Sequence, residues 1–536
     1  FFFVLGQLGI ALLPWVMNPW VSAVLLSLLL CSGGALFAAA STAQQAADEI
    51  HSLPGWTAPL PSRMFSGFVP CGSSQGYRLF EHYFFVESEG NPSTDPVIVW
   101  TNGGPGASSM FGLFVELGPF YLSAQSLKTG DFNRTGIPTL FRNPYSWSRL
   151  ANILIINSPP PVGYSYCEPS GPAGHGDSCG TWNDTRTAVH SAAYLDRWLE
   201  RFPQFGRADW YVIGESYAGV YVPTLVRQLL STPASTVRRR LRGFAVGDGC
   251  VGADVVCGPR ANGPYFHVEF FHGHGQFADG LYDRIMAECP REQLLGYGTP
   301  VTDPGCRALL AEAEAQIGGY YAYALYDACW YQNDLNPPHD RPGPLSARRY
   351  WGPPRKSTGR TARGHQSRPL DGPGPVGGAL NDYPCGGAQA MFQWVQHPDV
   401  KRALHVQPDA YFFSGDNGVG FVYNLTEANL LPFYQEVVRD TKLRVLVYNG
   451  DTDPDLNTFV AQNWTRSLGF RETQPWRPWT LDGHQYMGGY VTRYAGDFDF
   501  LTIRGAGHMV PEYKPRVTFE FLSKWLAGED WLGYKP

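Results

Sequence analysis

The chain reads as an α/β protein with a central, mostly parallel sheet flanked by helices. Short apolar runs bounded by Gly, Asn, Asp or Pro recur along it: Val97–Trp100, Ile153–Ile156, Val212–Ile213, Leu443–Tyr448 and Phe498–Ile503. Near-continuous apolar strands of this kind suit a sheet buried on both faces. Helix-compatible stretches fall between several of them, such as Arg186–Arg201 and Pro223–Leu230. Alternation of the two is the mark of an α/β architecture.

At 536 residues there is room for one large α/β domain with insertions or for more than one domain. A hydrophobic content of 44% with 14% aromatics supplies a sizeable core, and a net charge of -6 offers no general basic footprint for nucleic acid. Few charged residues (16%) beside 61 Gly and 44 Pro point to a loop-rich protein of the secreted type.

Residues 1–47 carry no charged side chain, and Asp48 is the first. Val21–Leu30 is a compact apolar run, followed by small residues up to Ala43, as in the core and cleavage zone of a signal peptide. An uncleaved membrane anchor within 1–40 is the alternative. Nine cysteines follow: Cys71, Cys167, Cys179, Cys250, Cys257, Cys289, Cys306, Cys329 and Cys385. No spacing among them resembles a zinc site, so disulfides are expected, with one thiol left over. Sequons at Asn133, Asn183, Asn424 and Asn463 agree with glycosylation in a secretory route.

The strand–helix alternation fills 48–248 and returns over 383–536, the two parts of one core. Between them, 249–382 is dense in Cys and aromatics, with Phe270–Gly275 and Tyr320–Tyr326 as examples, and reads as an insertion covering the site. Within it, Pro337–Gly378 is rich in Pro, Gly and Arg. That composition cannot bury a core, so a disordered, solvated loop is expected.

The chemistry centres on Trp210–Pro223. An apolar run breaks at Gly214, Ser216 sits at the break, and helix-compatible sequence starts at Ala218. A sharp strand-to-helix turn there would lift the serine hydroxyl above the sheet edge, as in a nucleophile elbow, although Gly-x-Ser-x-Gly would need Gly at 218 and the chain has Gly219. A serine nucleophile needs a base and a carboxylate to orient it. The last apolar strand runs into Gly505-Ala-Gly-His508, and the preceding one into Gly450-Asp451-Thr-Asp453, so both partners fall at strand ends. The order Ser216, Asp453, His508 is that of the α/β-hydrolases. An oxyanion hole needs converging backbone N–H groups. Asn102–Gly106, just after an early strand, can present the Gly104 N–H beside that of Tyr217, the residue after the nucleophile.

Trp100–Ser109, Gly214–Gly219, Gly450–Asp453 and Gly505–Pro511 together resemble the signatures of the serine carboxypeptidases, with similarity from about Pro54 to Leu532 outside the Arg-rich loop. That resemblance implies an α/β-hydrolase fold with a Cys-rich lid insertion, and no cofactor or metal. It implies Ser216 as nucleophile, His508 as general base, and Asp453 rather than Asp451 as the orienting carboxylate. The substrate's free α-carboxylate would be held by Asn102, Glu116 and Glu215, with Trp100 and Gly103 alongside. Two adjacent carboxyls share a proton, and the protonated one can donate to the substrate carboxylate, so acid-favoured activity is expected. Met509 and aromatics of the insertion are expected to line the substrate pockets.

Where the family has a Cys, this chain has Ala107, so the bridge from that position to Cys385 cannot form. Cys385 is then expected to be the free thiol, unless Cys71 has taken over. Expected partners are peptide or protein C termini, not nucleic acid. A homodimer and a two-chain form cut within 337–378 are further expectations, in a vacuolar, lysosomal or extracellular setting. An acyltransferase or esterase, or a protective binding partner with secondary catalysis, are the competing readings. Retention of Asn102, Glu116 and Glu215 favours the peptidase.

Overall fold

A computed structural model describes residues 43–257, 263–296, 300–327, 384–415 and 420–536. The central sheet has twelve strands. In chain order they are Glu49–Ile50 (β1), Met64–Ser74 (β2), Tyr77–Val86 (β3), Val97–Thr101 (β4), Asn152–Ile156 (β5), Tyr166–Glu168 (β6), Trp210–Glu215 (β7), Leu241–Gly247 (β8), Arg444–Gly450 (β9), Glu472–Thr480 (β10), Met487–Tyr494 (β11) and Phe498–Ile503 (β12). Across the sheet they lie β1-β2-β3-β5-β4-β7-β8-β9-β12-β11-β10, with β6 beside β3. The middle strands β5, β4, β7, β8, β9 and β12 are parallel. Antiparallel strands extend both edges.

Every residue of β4, β5, β7 and β12 is buried, which is why those strands read as mostly apolar runs. One face is covered by the Asp184–Arg201 and Ala218–Leu230 helices, which place Leu195, Trp198, Leu225 and Leu229 in a core with Val212 and Phe244. The other face receives Leu113, Trp394, Phe521 and Trp525. Each large side chain so buried contributes roughly 1.5–3 kcal/mol. The Asp184–Arg201 helix starts where the Asn183 side chain accepts the Arg186 N–H at 2.8 Å, satisfying one of the helix's unpaired first donors.

Within the expected insertion, the helices Tyr265–Gly273, Asp279–Glu288, Arg291–Leu295 and Pro304–Ile317 gather around their own core of Val268, Phe271, Ile285 and Leu310. A Cys289–Cys306 bridge staples it, and two further bridges join Cys167 to Cys179 and Cys250 to Cys257. The expectation that Cys385 is the free thiol is overturned, because Cys385 is disulfide-bonded. Cys71 is the free cysteine among the described residues. It sits on β2, where its thiol donates to the Val69 carbonyl at 3.3 Å, so it has not taken over that bridge. The leader through residue 42, Cys329 and the Arg-rich 337–378 segment lie outside the described residues. Among the described residues no helix is long and apolar enough to cross a membrane.

Candidate active site

The parallel strands end on one edge, and their continuations carry the candidate residues: Asn102 after β4, Ser216 after β7, Asp248 after β8, Asp453 beyond β9 and His508 beyond β12. Such an edge is where open α/β sheets place their sites. Ser216 has φ +64°, a left-handed conformation that costs a non-glycine residue roughly 1–3 kcal/mol. The surroundings enforce it. Ser216 N–H donates to the Gly247 carbonyl at 2.9 Å, and the Ser216 carbonyl accepts from Gly219 N at 2.9 Å and Cys250 N at 3.0 Å.

Two glycines make room for this elbow. A Cβ on Gly103 would lie 2.2 Å from Tyr217 N, and one on Gly219 would lie 2.2 Å from the Cys250 carbonyl oxygen. The tight approach falls at 219, which is why Ala218 is accommodated at the helix start. Tyr217 is fixed from its far end, since its hydroxyl donates to Asp184 at 2.6 Å. Asp184 also collects the Tyr423 hydroxyl at 2.9 Å and the amides of Thr426 and Glu427, each at 2.6 Å.

His508 Nδ1 lies 2.7 Å from Asp453 Oδ2. Asp453 also accepts the amides of Asp455 at 2.8 Å and Leu456 at 3.3 Å, which hold its carboxyl aimed at the ring. Asp451 instead accepts the Gly505 N–H at 2.6 Å, so it braces the loop that carries the histidine. The 320–327 segment contributes directly to this cluster. Tyr323 stacks on the His508 ring with centroids 4.7 Å apart, and its carbonyl accepts the His508 N–H at 2.7 Å. The same segment is pinned by Leu325 N–H to the Thr452 carbonyl at 2.8 Å.

Beside the elbow lies a buried acid pair. Asn102 Nδ2 donates to Glu116 Oε1 at 3.1 Å and to Glu215 Oε1 at 2.8 Å. Its carbonyl oxygen accepts Trp100 Nε1–H at 2.8 Å and Gly112 N–H at 3.1 Å, which fixes the amide's orientation. Gly112 is needed for that approach, since a Cβ there would meet Trp100 Nε1 at 2.2 Å. Glu116 Oε2 and Glu215 Oε2 are buried without a hydrogen-bond partner. Burial pushes the Glu116 carboxyl up to about 7 against the opposing Asn102 bond. Burial and then the Glu116 charge push Glu215 well above the usual carboxylate range.

The contacts above join Asp453 with His508, and Trp100, Asn102, Gly103, Glu116 and Glu215 with the Ser216–Tyr217 turn, with Gly104 next in the chain to Gly103. Met509, next to the base, is buried in the apolar core of that face. Of the sequon asparagines, Asn133 and Asn424 are exposed and Asn183 and Asn463 are half-buried. Tyr323, Asp184 and Asp248 were not singled out from the sequence. Tyr323 falls in the aromatic run noted there, and Asp248 follows a strand at the level of Asp453.

A serine at a strand–elbow–helix turn, with Asp and His after later strands, defines an α/β-hydrolase. The serine carboxypeptidase family model matches residues 54–528, and the chain belongs to that family. Serine carboxypeptidase-like 20 of Arabidopsis thaliana is 31% identical over 531 residues, spanning 97% of this chain and 99% of the relative. Serine carboxypeptidase 1 of Hordeum vulgare is 31% identical, with 90% and 92% covered. The lysosomal protective protein of Mus musculus is 30% identical, with 90% and 94% covered. The fold is similar to the crystal structure of Kex1(delta)p, a prohormone-processing carboxypeptidase from Saccharomyces cerevisiae, at TM-score 0.61 and 17% identity over 90% of this chain and 96% of that one.

Proposed function

We propose that the protein is a serine-type exopeptidase that removes C-terminal amino acids from peptides at acidic pH. The observation that carries this is the buried Glu116–Glu215 pair bridged by Asn102, whose Glu116 Oε2 and Glu215 Oε2 make no hydrogen bond outside the pair. A shared proton on this pair donates to the terminal carboxylate of a bound peptide, and Asn102 orders the pair. An ionised pair repels the same carboxylate, so binding weakens as pH rises.

In this reading Ser216 Oγ attacks the carbonyl of the last peptide bond while His508 Nε2 takes the hydroxyl proton. Asp453 holds the proton on Nδ1 and stabilises the imidazolium. The N–H groups of Gly104 and Tyr217 receive the oxyanion. Collapse of the tetrahedral intermediate breaks the C–N bond, and His508 returns the proton to the leaving amino group. Water, deprotonated by His508, then attacks the Ser216 ester and releases the shortened peptide. Relatives named for lysosomes and as plant carboxypeptidases support residence along the secretory route, in an acidic compartment. A homodimer and cleavage to two chains within 337–378 belong to the same proposal, tested by light scattering and by reducing electrophoresis of the secreted protein.

The test is release of the terminal amino acid from a blocked dipeptide from about pH 4 to 8, beside the amidated peptide. Acid-favoured release that needs the free carboxylate and disappears in Ser216→Ala is expected. Equal cleavage of both peptides, or transfer from an activated ester with no peptide cleavage, would refute the exopeptidase.

A further inference from the structure

A second carboxyl stands behind Asp453. Asp248 and Asp453 are both fully buried. One carboxyl oxygen of each lies within 4.8 Å of the other and of a His508 ring nitrogen. The backbone puts Asp248 there, with φ +41° and its N–H on the Tyr448 carbonyl at 2.9 Å. Its carboxyl accepts Gly450 N–H at 3.0 Å on Oδ1 and 3.2 Å on Oδ2, and Asn449 Nδ2 at 3.2 Å.

Two buried carboxylates this close do not both ionise. Asp453 is the carboxyl that meets the imidazole, at 2.7 Å from Nδ1. Asp248 faces Asp453 and His508, with Tyr448 on β9 and Glu215 on β7 also acting on it. Burial, and then the Asp453 charge, push the Asp248 carboxyl well above its usual range.

We propose that Asp248 is a positioning residue for the triad, a neutral acid whose O–H donates to Asp453 and draws charge from the carboxylate facing His508. The imidazolium is then stabilised less, so His508 stays an available base at more acidic pH. The inference rests on the triad roles proposed above, but not on the substrate being a peptide.

The test measures phosphonylation of Ser216 by a fluorophosphonate across pH, which needs the nucleophile and a neutral base and no carboxylate-binding pair. Asp248→Asn keeps a neutral donor toward Asp453 and an acceptor for Gly450. It is expected to leave the apparent pKa of the acid limb within about 0.3 of wild type. Asp248→Ala removes the donor and is expected to raise it by about one unit, slowing the acid limb about tenfold. Were Asp248 ionised, the Asn variant would remove a buried negative charge near His508. Its acid limb would then fall by about a unit or more, overturning the proposal. One unchanged pKa in both variants would overturn it equally. If the Ala variant does not fold, the Asn variant decides with infrared spectroscopy. A protonated-carboxyl band lost in the Asn-minus-wild-type difference is expected, and an undiminished band overturns the assignment. Failure of peptide cleavage with normal phosphonylation refutes the exopeptidase and leaves this test intact.

Discussion

Replacing Glu116 with Gln isolates the origin of the acid preference. Burial raises the wild-type carboxyl to about 7. At that value the protonated fraction is about 0.99 at pH 5 and about 0.1 at pH 8, so kcat/KM for a free-acid peptide falls about tenfold through KM, or ~1.4 kcal/mol. An amide does not titrate, so Glu116→Gln is expected to abolish that decline and to weaken binding several-fold at pH 5. The same substitution has a signature in stability. A carboxyl whose folded pKa lies above its ordinary value of 4.5 favours folding fully below 4.5 and loses that contribution as pH rises through about 7. Wild type therefore loses up to about 3 kcal/mol over that window relative to Glu116→Gln. The assays are kcat/KM for a blocked dipeptide across pH 5–8 and urea midpoints at both ends of the window. A Gln variant that keeps the tenfold decline would show that the titrating group lies elsewhere and would refute the clamp.

Asp453→Asn, which leaves His508 without an anionic partner, is expected to lower kcat on the order of 10⁴-fold with KM little changed, read by steady-state kinetics at pH 5. Gly219→Ala drives a methyl to 2.2 Å from the Cys250 carbonyl and is expected to cost about 1–3 kcal/mol and most of the activity. Ala218→Gly, by contrast, should cost about 1 kcal/mol or less and keep turnover, as urea melts and kcat will show. Cys71 is half-buried, and burial followed by the Glu81 charge pushes its thiol upward. It should react slowly with an aromatic disulfide at pH 8 in the folded protein and quickly once unfolded, and fast native labelling would contradict the structure.

The parallel strands were legible because burial on both faces leaves mostly apolar residues in β4, β5, β7 and β12, with polar ones at strand ends such as Asn152 and Glu215, and Asp499 and Thr502 inside β12. The antiparallel edges were not, because their runs are broken. β2 contains Gly67, Pro70 and Gly72, and β10 contains Pro475 and Pro478, so neither shows an unbroken apolar or alternating pattern. Ser216, Asp453 and His508 were readable as polar residues punctuating strand ends. Glu116 had no such marker and entered only by resemblance to the family. Asp248, in a Gly-Asp-Gly sequence, looks like an ordinary turn until β8 is seen to end beside β9. Which cysteine stays unpaired depends on which backbones meet, and that information is not local.

Stacking of Tyr323 on His508 bears on how this family can be re-engineered. The 320–327 segment holds His508 with one aromatic face and one carbonyl, so under the proposed roles it is part of the catalytic frame rather than an exchangeable cover. A chimera that imports another relative's lid to alter side-chain preference must import an equivalent aromatic at this register. Without it, the imidazole gains rotational freedom, and the loss will be felt first in turnover and only afterwards in selectivity.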